Sequence, residues 1–343
     1  MDSSRKIVEK AVRFEKPARV PRDLWVLPWA EARYGRELEA LQREFPRDFA
    51  PADVHPKRPA CMKGDIYAKG DYVDAWGCRF FSLEDGLVGE VREPLVATWS
   101  DLDHVRPPYE MWEGAFDHLD DSCAKTDRFV TARTGGLFER MQDIRTMEQL
   151  LVDLIEGPRE LLVLRDRVHE YNLFLVEKLA KTAVDALTIN EDWGTQSALL
   201  IPPAIWREVF KPLYRDYIEI AHKADKLFFM HSDGCIMEIY EDLIDIGVDA
   251  VNSQLFCMDI EEIARRFKGR ICFWGEIDRQ QVLPAQDTRE VTRAVERVVD
   301  ALYDPSGGVI AQCEFGLAAR PENVREVYAA WQCLTDASPS KGE

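Results

Sequence analysis

The sequence predicts an α/β fold, a single-domain (β/α)8 TIM barrel over residues 1–343, on three observations. Short β-rich runs alternate with longer amphipathic segments in the second half of the chain, which is typical of parallel strands joined by helical crossovers. The later strands recur at intervals of roughly 20 to 45 residues, as successive βα units of a closed barrel do. No GxGxxG follows a strand, so a doubly wound sheet is the weaker alternative.

The β-branched and aromatic runs predict strands at residues 128–134, 185–191, 226–232, 249–254, 271–277 and 308–314. The amphipathic runs between and after them predict helices at residues 137–156, 158–182, 203–224, 236–246, 259–267, 287–303 and 321–335. Several of these helices carry proline in the first turn, where its missing N–H leaves no hydrogen bond unmade.

The N-terminal portion, about residues 1–125, is less regular. "RDLWVLPW" (22–29) predicts the first strand. "EFPRDFAPADVHPKRPAC" (44–61) is polar and rich in proline, which predicts a long loop. "VREPLVATWSDLDHVRPP" (91–108) indicates an extended strand, a short helix and a stop.

Composition excludes some classes of partner. Sixty-two Asp and Glu against 44 Lys and Arg give a net charge of −18, which argues against nucleic acids and anionic membranes as partners. No apolar run approaches the ~18 residues that span a bilayer, and the N-terminus predicts a charged amphipathic helix, so we expect a cytoplasmic protein. The eight cysteines are widely spread, which favours packing, metal-binding or catalytic thiols over a disulfide framework.

Polar side chains end five successive predicted strands: Glu191 and Asp192, His231 and Asp233, Ser253 and Gln254, Glu276 and Asp278, and Cys313 and Glu314. The carboxyl ends of barrel strands converge on one mouth, where barrel active sites lie. We therefore expect these residues to line a site. Polar residues at strand ends also cap helices, and for Asp233 that role is an equal alternative.

His231 and Cys313 are the candidate metal ligands. A lone histidine at an apolar strand end is more often structural, but Cys313, separated from it by two strands, and the surplus carboxylates shift the balance. His, Cys and carboxylate form the ligand set of a four-coordinate zinc site that keeps one position open. Residues i and i+2 of a strand face the same side, so Asp233 is expected to share the direction of His231. Cys235 is a further candidate for the fourth ligand.

The segment "ALTINEDWGTQSALLIPPAIWREVFKPLYRDYIEIAHKADKLFFMHSDGCI" (186–236) resembles the core of the uroporphyrinogen decarboxylase superfamily. "GVDAVNSQ", "FWGEIDRQQVLP" and "GGVIAQCEFGLAARPENVREVY" resemble its later motifs. The similarity runs from about Pro17 to Trp331. It implies a (β/α)8 barrel, and it leaves the reaction open between cofactor-free decarboxylation of a porphyrinogen and zinc-dependent methyl transfer to or from corrinoids.

The methyltransferase branch is the better match. True decarboxylases carry an arginine-rich N-terminal segment that clamps propionates, whereas "WVLPWAEARYGREL" (25–38) offers only Arg33 near that place. In the methylcobalamin:coenzyme M methyltransferases, a His-x-Cys pair and a later Cys hold zinc. His231 and Cys313 match that pattern, and Asp233 stands where the family has Cys. A carboxylate implies a harder zinc site and leaves room for an oxygen-containing substrate such as a methoxylated compound.

The resemblance implies a zinc-dependent methyltransferase acting between a small methylated substrate (a methoxy, thiol or amine compound) and a corrinoid. His231, Asp233 and Cys313 are expected to bind Zn2+, with Glu191, Glu276 or Glu314 as an exchangeable fourth ligand. Asp192 joins Glu191 and Glu276 as a catalytic candidate. The expected substrate- or cofactor-binding residues are Trp193, Gln196, Asn252, Gln254, Trp274, Asp278 and Phe315; packing above the barrel is an equal alternative for Trp193, Trp274 and Phe315.

We expect the corrinoid to be supplied in trans by a corrinoid protein, because eight βα units use nearly all of the chain. The nearest match to a cobalamin-binding Asp-x-His-x-x-Gly motif, "DVHPKR" (53–58), lacks the glycine. A homodimer is possible. The alternatives are a cofactor-free decarboxylase and a non-catalytic barrel that binds a tetrapyrrole or small ligand, and zinc content would discriminate between them.

Overall fold

The parallel strands of the protein surround a central axis. The computed structural model describes residues 2–335. The strands are β1 (Arg22–Val26), β2 (Phe49–Pro51), β3 (Gly70–Val73), β4 (Arg79–Ser82), β5 (Glu90–Glu93), β6 (Phe129–Arg133), β7 (Ala186–Asn190), β8 (Leu227–Ser232), β9 (Ala250–Ser253), β10 (Cys272–Trp274) and β11 (Val309–Phe315). All except β3, β4 and β5 belong to one eight-stranded sheet with the order β1-β11-β10-β9-β8-β7-β6-β2. The Asp48 amide donates to the Arg22 carbonyl at 2.9 Å across the remaining seam, so the barrel is nearly closed.

The helices surround this barrel, which confirms the predicted (β/α)8 fold. They are α1 (Ser4–Val12), α2 (Pro28–Glu44), α3 (Leu119–Ala124), α4 (Phe138–Arg145), α5 (Met147–Glu156), α6 (Arg159–Leu179), α7 (Pro203–Val209), α8 (Lys211–Lys223), α9 (Tyr240–Ile246), α10 (Ile260–Phe267), α11 (Thr288–Leu302) and α12 (Pro321–Thr335). Among the described residues, no helix is long and apolar enough to cross a bilayer.

Two predicted helices are each divided in two. The segment predicted over 137–156 breaks at Thr146, whose φ of 69° lies outside the helical region and whose side chain caps α5. The segment predicted over 203–224 breaks at Phe210, and α8 then begins with a proline in its first turn. Proline cannot donate to a preceding turn, so the chain starts a new helix there.

The long loop predicted over 44–61 is wrong in part, because it contains the barrel strand β2. β2 is three residues long and pairs with β6 from Phe49 to Pro51. So short a strand among prolines gives no alternating pattern in the sequence. Farther along, β3, β4 and β5 form a small antiparallel sheet outside the barrel.

Two layers of apolar side chains fill the molecule. The larger lies between the barrel and its helices, and the smaller fills the barrel interior with Phe49, Phe129, Phe229 and Trp274. Residues of parallel neighbours that are paired in register point to the same face. Asp23 pairs with Gln312 and Leu24 with Cys313. This register decides which side chains of β11 reach the mouth of the barrel.

Candidate metal centre at the barrel mouth

Asp192, His231 and Asp233 converge at the carboxyl ends of β7 and β8. The Nε2 atom of His231 lies 3.5 Å from Asp192 Oδ1 and 3.5 Å from Asp233 Oδ1. One ligand atom from each residue lies within 4.8 Å of the others. Among the described residues, these three form the one group of three or more His, Cys, Asp and Glu side chains placed to hold a metal ion.

Strand pairing brings the three residues together. Asn190 of β7 pairs with His231 of β8, and the Glu191 amide donates to the His231 carbonyl at 3.0 Å. The chain after β7 therefore stays beside the chain after β8. The Asp233 amide donates to Asp192 Oδ1 at 3.0 Å, which fixes the two carboxylates relative to each other. As predicted, Asp233 points in the direction of His231.

Asn252 of β9 orients the imidazole. Its Oδ1 lies 2.6 Å from His231 Nδ1, and its amide nitrogen donates to the Trp274 carbonyl. Because an amide oxygen only accepts, Nδ1 carries a proton and Nε2 is left to face the two carboxylates. Metal-binding histidines are held in this way by a partner on the opposite ring nitrogen.

The centre strongly favours positive charge. Burial of His231 disfavours its charged form, yet hydrogen bonding and attraction to Asp192 and Asp233 raise its pKa to about 9. Asp233 Oδ1 is buried and accepts no hydrogen bond within the described part of the chain. A cation between His231 Nε2 and the two carboxylates would give that oxygen a partner.

Arg279, which follows β10, is the residue at this mouth that the sequence analysis missed. Its guanidinium pairs with Asp233 Oδ2. It also lies 3.5 Å from Glu276 Oε1 and 3.3 Å from Glu314 Oε1. Burial raises the pKa of Glu276 to about 8, although the attraction of Arg279 opposes that shift. Arg279 thus connects strand ends that the sequence predicted only as separate acidic positions.

A cavity of about 170 Å³ lies beside Arg279. Its lining residues are Gln196, Gln254, Phe256, Cys257, Glu276, Asp278, Arg279, Gln280 and Gln281. Gln254 Oε1 also accepts from the Gly234 amide at 3.0 Å, which places the cavity next to the loop that carries Asp233. Gln196, Gln254, Glu276 and Asp278, all predicted site residues, are therefore brought together here.

An aromatic wall stands on the other side of His231. The Trp25 ring lies 5.0 Å from the imidazole, edge to face, and Trp274 lies 5.2 Å from Trp25. Asp23 Oδ2 accepts from both indole nitrogens, at 3.1 Å and 3.0 Å. The alternation of Asp23 and Trp25 on β1 was the sequence signal for this wall, since residues two apart face the same side.

Cys313 does not join the metal centre, which corrects the sequence prediction. It pairs with Leu24 and points outward into the layer beneath α12, where its Sγ donates to Tyr328 Oη at 3.6 Å. Glu314, the next residue, faces the mouth, where it pairs with Arg279. Burial raises the pKa of the Cys313 thiol to about 12, so the thiol stays protonated.

Glu191 does not lie in the metal centre either, which corrects its predicted role as a catalytic residue or fourth zinc ligand. Its carboxylate accepts from the backbone amides of Leu137, Phe138 and Glu139 at the start of α4, and from the Tyr214 hydroxyl at 3.0 Å. These donors occupy the carboxylate, so Glu191 is a buried cap of the helix rather than a metal ligand.

The three aromatic residues predicted to wall a substrate pocket also pack elsewhere. Trp193 is fully buried and stacks on Phe138 at 4.0 Å, behind β7. Phe315 stacks on Tyr34 at 5.4 Å in the helical layer. Trp274 lies in the barrel interior, where it supports Trp25. All three therefore pack within the protein rather than above the barrel, and Trp274 reaches the site only through Trp25.

The uroporphyrinogen decarboxylase (URO-D) family model matches residues 73–332 of the chain. A solved methyltransferase from Methanosarcina mazei is similar at 14% identity with a TM-score of 0.72, covering 97% of this chain and 99% of that chain. The match to native xylanase 10B from Thermotoga maritima has 12% identity and a TM-score of 0.46, and it covers 97% of this chain and 98% of that chain. Comparison with curated protein sequences gives no match.

Proposed function

The chain belongs to the uroporphyrinogen decarboxylase family, and from that premise we propose that it is a zinc-dependent enzyme that transfers a methyl group between a small methylated substrate and a corrinoid. The observation that carries this proposal is the convergence of Asp192, His231 and Asp233 at the barrel mouth. The similarity to the M. mazei methyltransferase over nearly the whole chain supports the choice of reaction.

The donor set suits zinc. Two ligand atoms at ~2.1 Å from a tetrahedral zinc lie about 3.4 Å apart. His231 Nε2 lies 3.5 Å from an oxygen of each carboxylate, which is close to that edge length. Three protein ligands leave a fourth position for a substrate atom, as in catalytic zinc sites.

Zinc bound here would act as a Lewis acid toward the oxygen, sulfur or nitrogen atom that carries the methyl group. The side chains around His231 would hold this zinc ligand in position. Asn252 holds the imidazole with Nε2 toward the mouth, and Trp25 packs against its edge. Two carboxylates in place of the thiolates of the coenzyme M branch make the site harder, which favours a methoxylated substrate.

The cavity next to the centre is the proposed place for the substrate. The Cys257 thiol can donate to Gln254 Oε1 or to Gln196 Oε1, each at 3.3 Å, so amide groups at the rim of the cavity are already positioned. The corrinoid, carried by a separate corrinoid protein, would dock over the same mouth. In-line transfer requires the methyl-carrying atom and the cobalt to meet there in a near-attack arrangement.

Porphyrinogen decarboxylation is disfavoured by the charge of this mouth. The carboxylates here belong to Asp192, Asp233, Glu276 and Glu314. Arg279 already pairs with three of them, so it is not available to clamp a substrate carboxylate. A substrate bearing many carboxylates would have to displace these ion pairs in order to bind.

Metal analysis and an anaerobic assay test the proposal together. Wild-type protein should retain about one zinc per chain after gel filtration and should demethylate a methoxylated, thiol or amine substrate in the presence of reduced cobalamin. His231→Ala should lose both properties. His222→Ala is the matched control, because His222 pairs with Asp249 away from the mouth. Zinc-free wild-type protein, or coproporphyrinogen formed from uroporphyrinogen, would contradict the proposal.

A further inference from the structure

Arg279 ties together carboxylates from three different strand ends. Asp233 follows β8, Glu276 follows β10 and Glu314 belongs to β11. The guanidinium contacts all three, through Nη2, Nε and Nη1 respectively. Its side chain is only 22% exposed, so the contacts are not those of a mobile surface arginine.

Without Arg279, the carboxyl groups of Asp233, Glu276 and Glu314 would lie beside the metal centre without the cation that they share. Glu276 is 3% exposed, and Arg279 is the one cation with which it forms a salt bridge among the described residues. Glu314 would lose its ion pair in the same way, and Asp233 would keep only its contact with His231. Several carboxylate oxygens favour hard cations such as Mg2+, Ca2+ and Mn2+ over zinc.

We propose that Arg279 is a specificity-determining residue, which excludes hard divalent cations from the metal centre by occupying Asp233 Oδ2, Glu276 and Glu314. With these oxygens engaged, the centre keeps His231 Nε2 and one oxygen each from Asp192 and Asp233. A set of three ligands that includes an imidazole suits a four-coordinate ion better than an ion needing six or more oxygens. This inference rests on the zinc site of the proposed function.

The geometry requires arginine rather than lysine. Three acceptors in different directions need several donors on one rigid group, and the guanidinium offers five N–H donors in a plane. An ammonium can neutralise one carboxylate but cannot hold all three. The positive charge also repels any cation that approaches without a strong ligand such as the imidazole.

Direct cation binding tests this role without an activity assay. Apo wild type, Arg279→Met and Arg270→Met are titrated with Mn2+, with free Mn2+ followed by its electron paramagnetic resonance signal. Arg270 pairs with Glu241 on the surface, so Arg270→Met loses the same charge away from the mouth. We expect Arg279→Met to bind Mn2+ at least tenfold more tightly than wild type, and Arg270→Met to match wild type.

Two further variants make the result decisive. Arg279→Met/Glu276→Gln/Glu314→Gln should bind Mn2+ more weakly than Arg279→Met, since two of the three carboxylates that Arg279 held are then neutral amides. Arg279→Gln, also uncharged, takes the place of Arg279→Met if circular dichroism shows that Arg279→Met is unfolded. A gain in Mn2+ affinity of less than tenfold in the folded variant, or an equal gain in Arg270→Met, would overturn the role of Arg279.

Zinc affinity measured in parallel, by competition with a chromophoric chelator, separates the two proposals. Wild type that binds no zinc contradicts the proposed function and leaves the Mn2+ comparison valid. Zinc binding by wild type with unchanged Mn2+ affinity in Arg279→Met contradicts only the role of Arg279.

Discussion

Glu191 and Glu276 are both buried carboxyl groups at the ends of barrel strands, but their surroundings are opposite. Glu191 accepts from three backbone amides and from Tyr214. Glu276 has a single ion-pair contact at 3.5 Å, to Arg279, and lines a cavity. A position at the end of a strand indicates that a carboxyl group lies near the mouth. The number of hydrogen-bond donors held against it then shows whether the group is structural or available for chemistry.

The largest expected effect in this comparison is on stability, at Glu191. Glu191→Ala leaves the amides at the start of α4 and the Tyr214 hydroxyl buried without an acceptor. Each such loss costs ~1–3 kcal/mol, and we expect the free energy of unfolding in urea to fall by about 3 kcal/mol or more. Glu191→Gln keeps an acceptor oxygen and should lose less. A loss of less than ~1 kcal/mol in Glu191→Ala would contradict the structural role of Glu191.

At Glu276 we expect a smaller effect on stability, and one that depends on pH. Burial raises its pKa to about 8, so the folded state prefers the protonated form and the unfolded state does not. Stability is therefore fully present below the unfolded pKa of 4.5 and declines as pH rises toward 8. Each unit of pKa shift corresponds to about 1.4 kcal/mol.

Glu276→Gln should remove this decline. In metal-free buffer with a chelator, the variant and wild type should unfold at similar urea concentrations at pH 5, and the variant should be the more stable of the two at pH 8. The matched variant Glu241→Gln changes an exposed carboxylate paired with Arg270. It should not become more stable than wild type at pH 8. Parallel stability curves for Glu276→Gln and wild type would contradict the raised pKa.

Much of the barrel was predictable because its signal is periodic. The predicted strands at 128–134, 185–191, 226–232 and 249–254 each contain an observed strand, at β6, β7, β8 and β9. Buried parallel strands bounded by helices leave long apolar runs, which the sequence displays directly. β2 was missed since it is three residues long and lies among prolines.

The candidate site was predictable in location and less so in detail. Strand ends identified His231, Asp233 and Asp192, because a barrel brings those ends together whatever the side chains are. Orientation was the step that failed, as at Cys313, where a shift of one residue along a strand reverses the face. Arg279 gave no signal in the sequence, because a single arginine after a strand does not reveal that it pairs with carboxyl groups from other strand ends.

The smallest effect is expected at Cys313, and it tests orientation alone. Cys313 and Glu314 are neighbours on β11, yet the thiol faces Tyr328 and the carboxylate faces Arg279. Cys313→Ser should keep the wild-type zinc content, since the residue lies outside the metal centre. Its Oγ can still hydrogen-bond Tyr328 Oη, so the free energy of unfolding should change by only ~1 kcal/mol.

Zinc content of the purified Cys313→Ser variant, beside His231→Ala, decides the point. Both residues are buried at strand ends, and only the histidine has its ligand atom directed at Asp192 and Asp233. A folded Cys313→Ser protein that loses zinc as His231→Ala does would require β11 to present its thiol inward. That result would place Leu24, its register partner on β1, inside the barrel as well, and would overturn the β1–β11 register that turns Cys313 away from the metal centre.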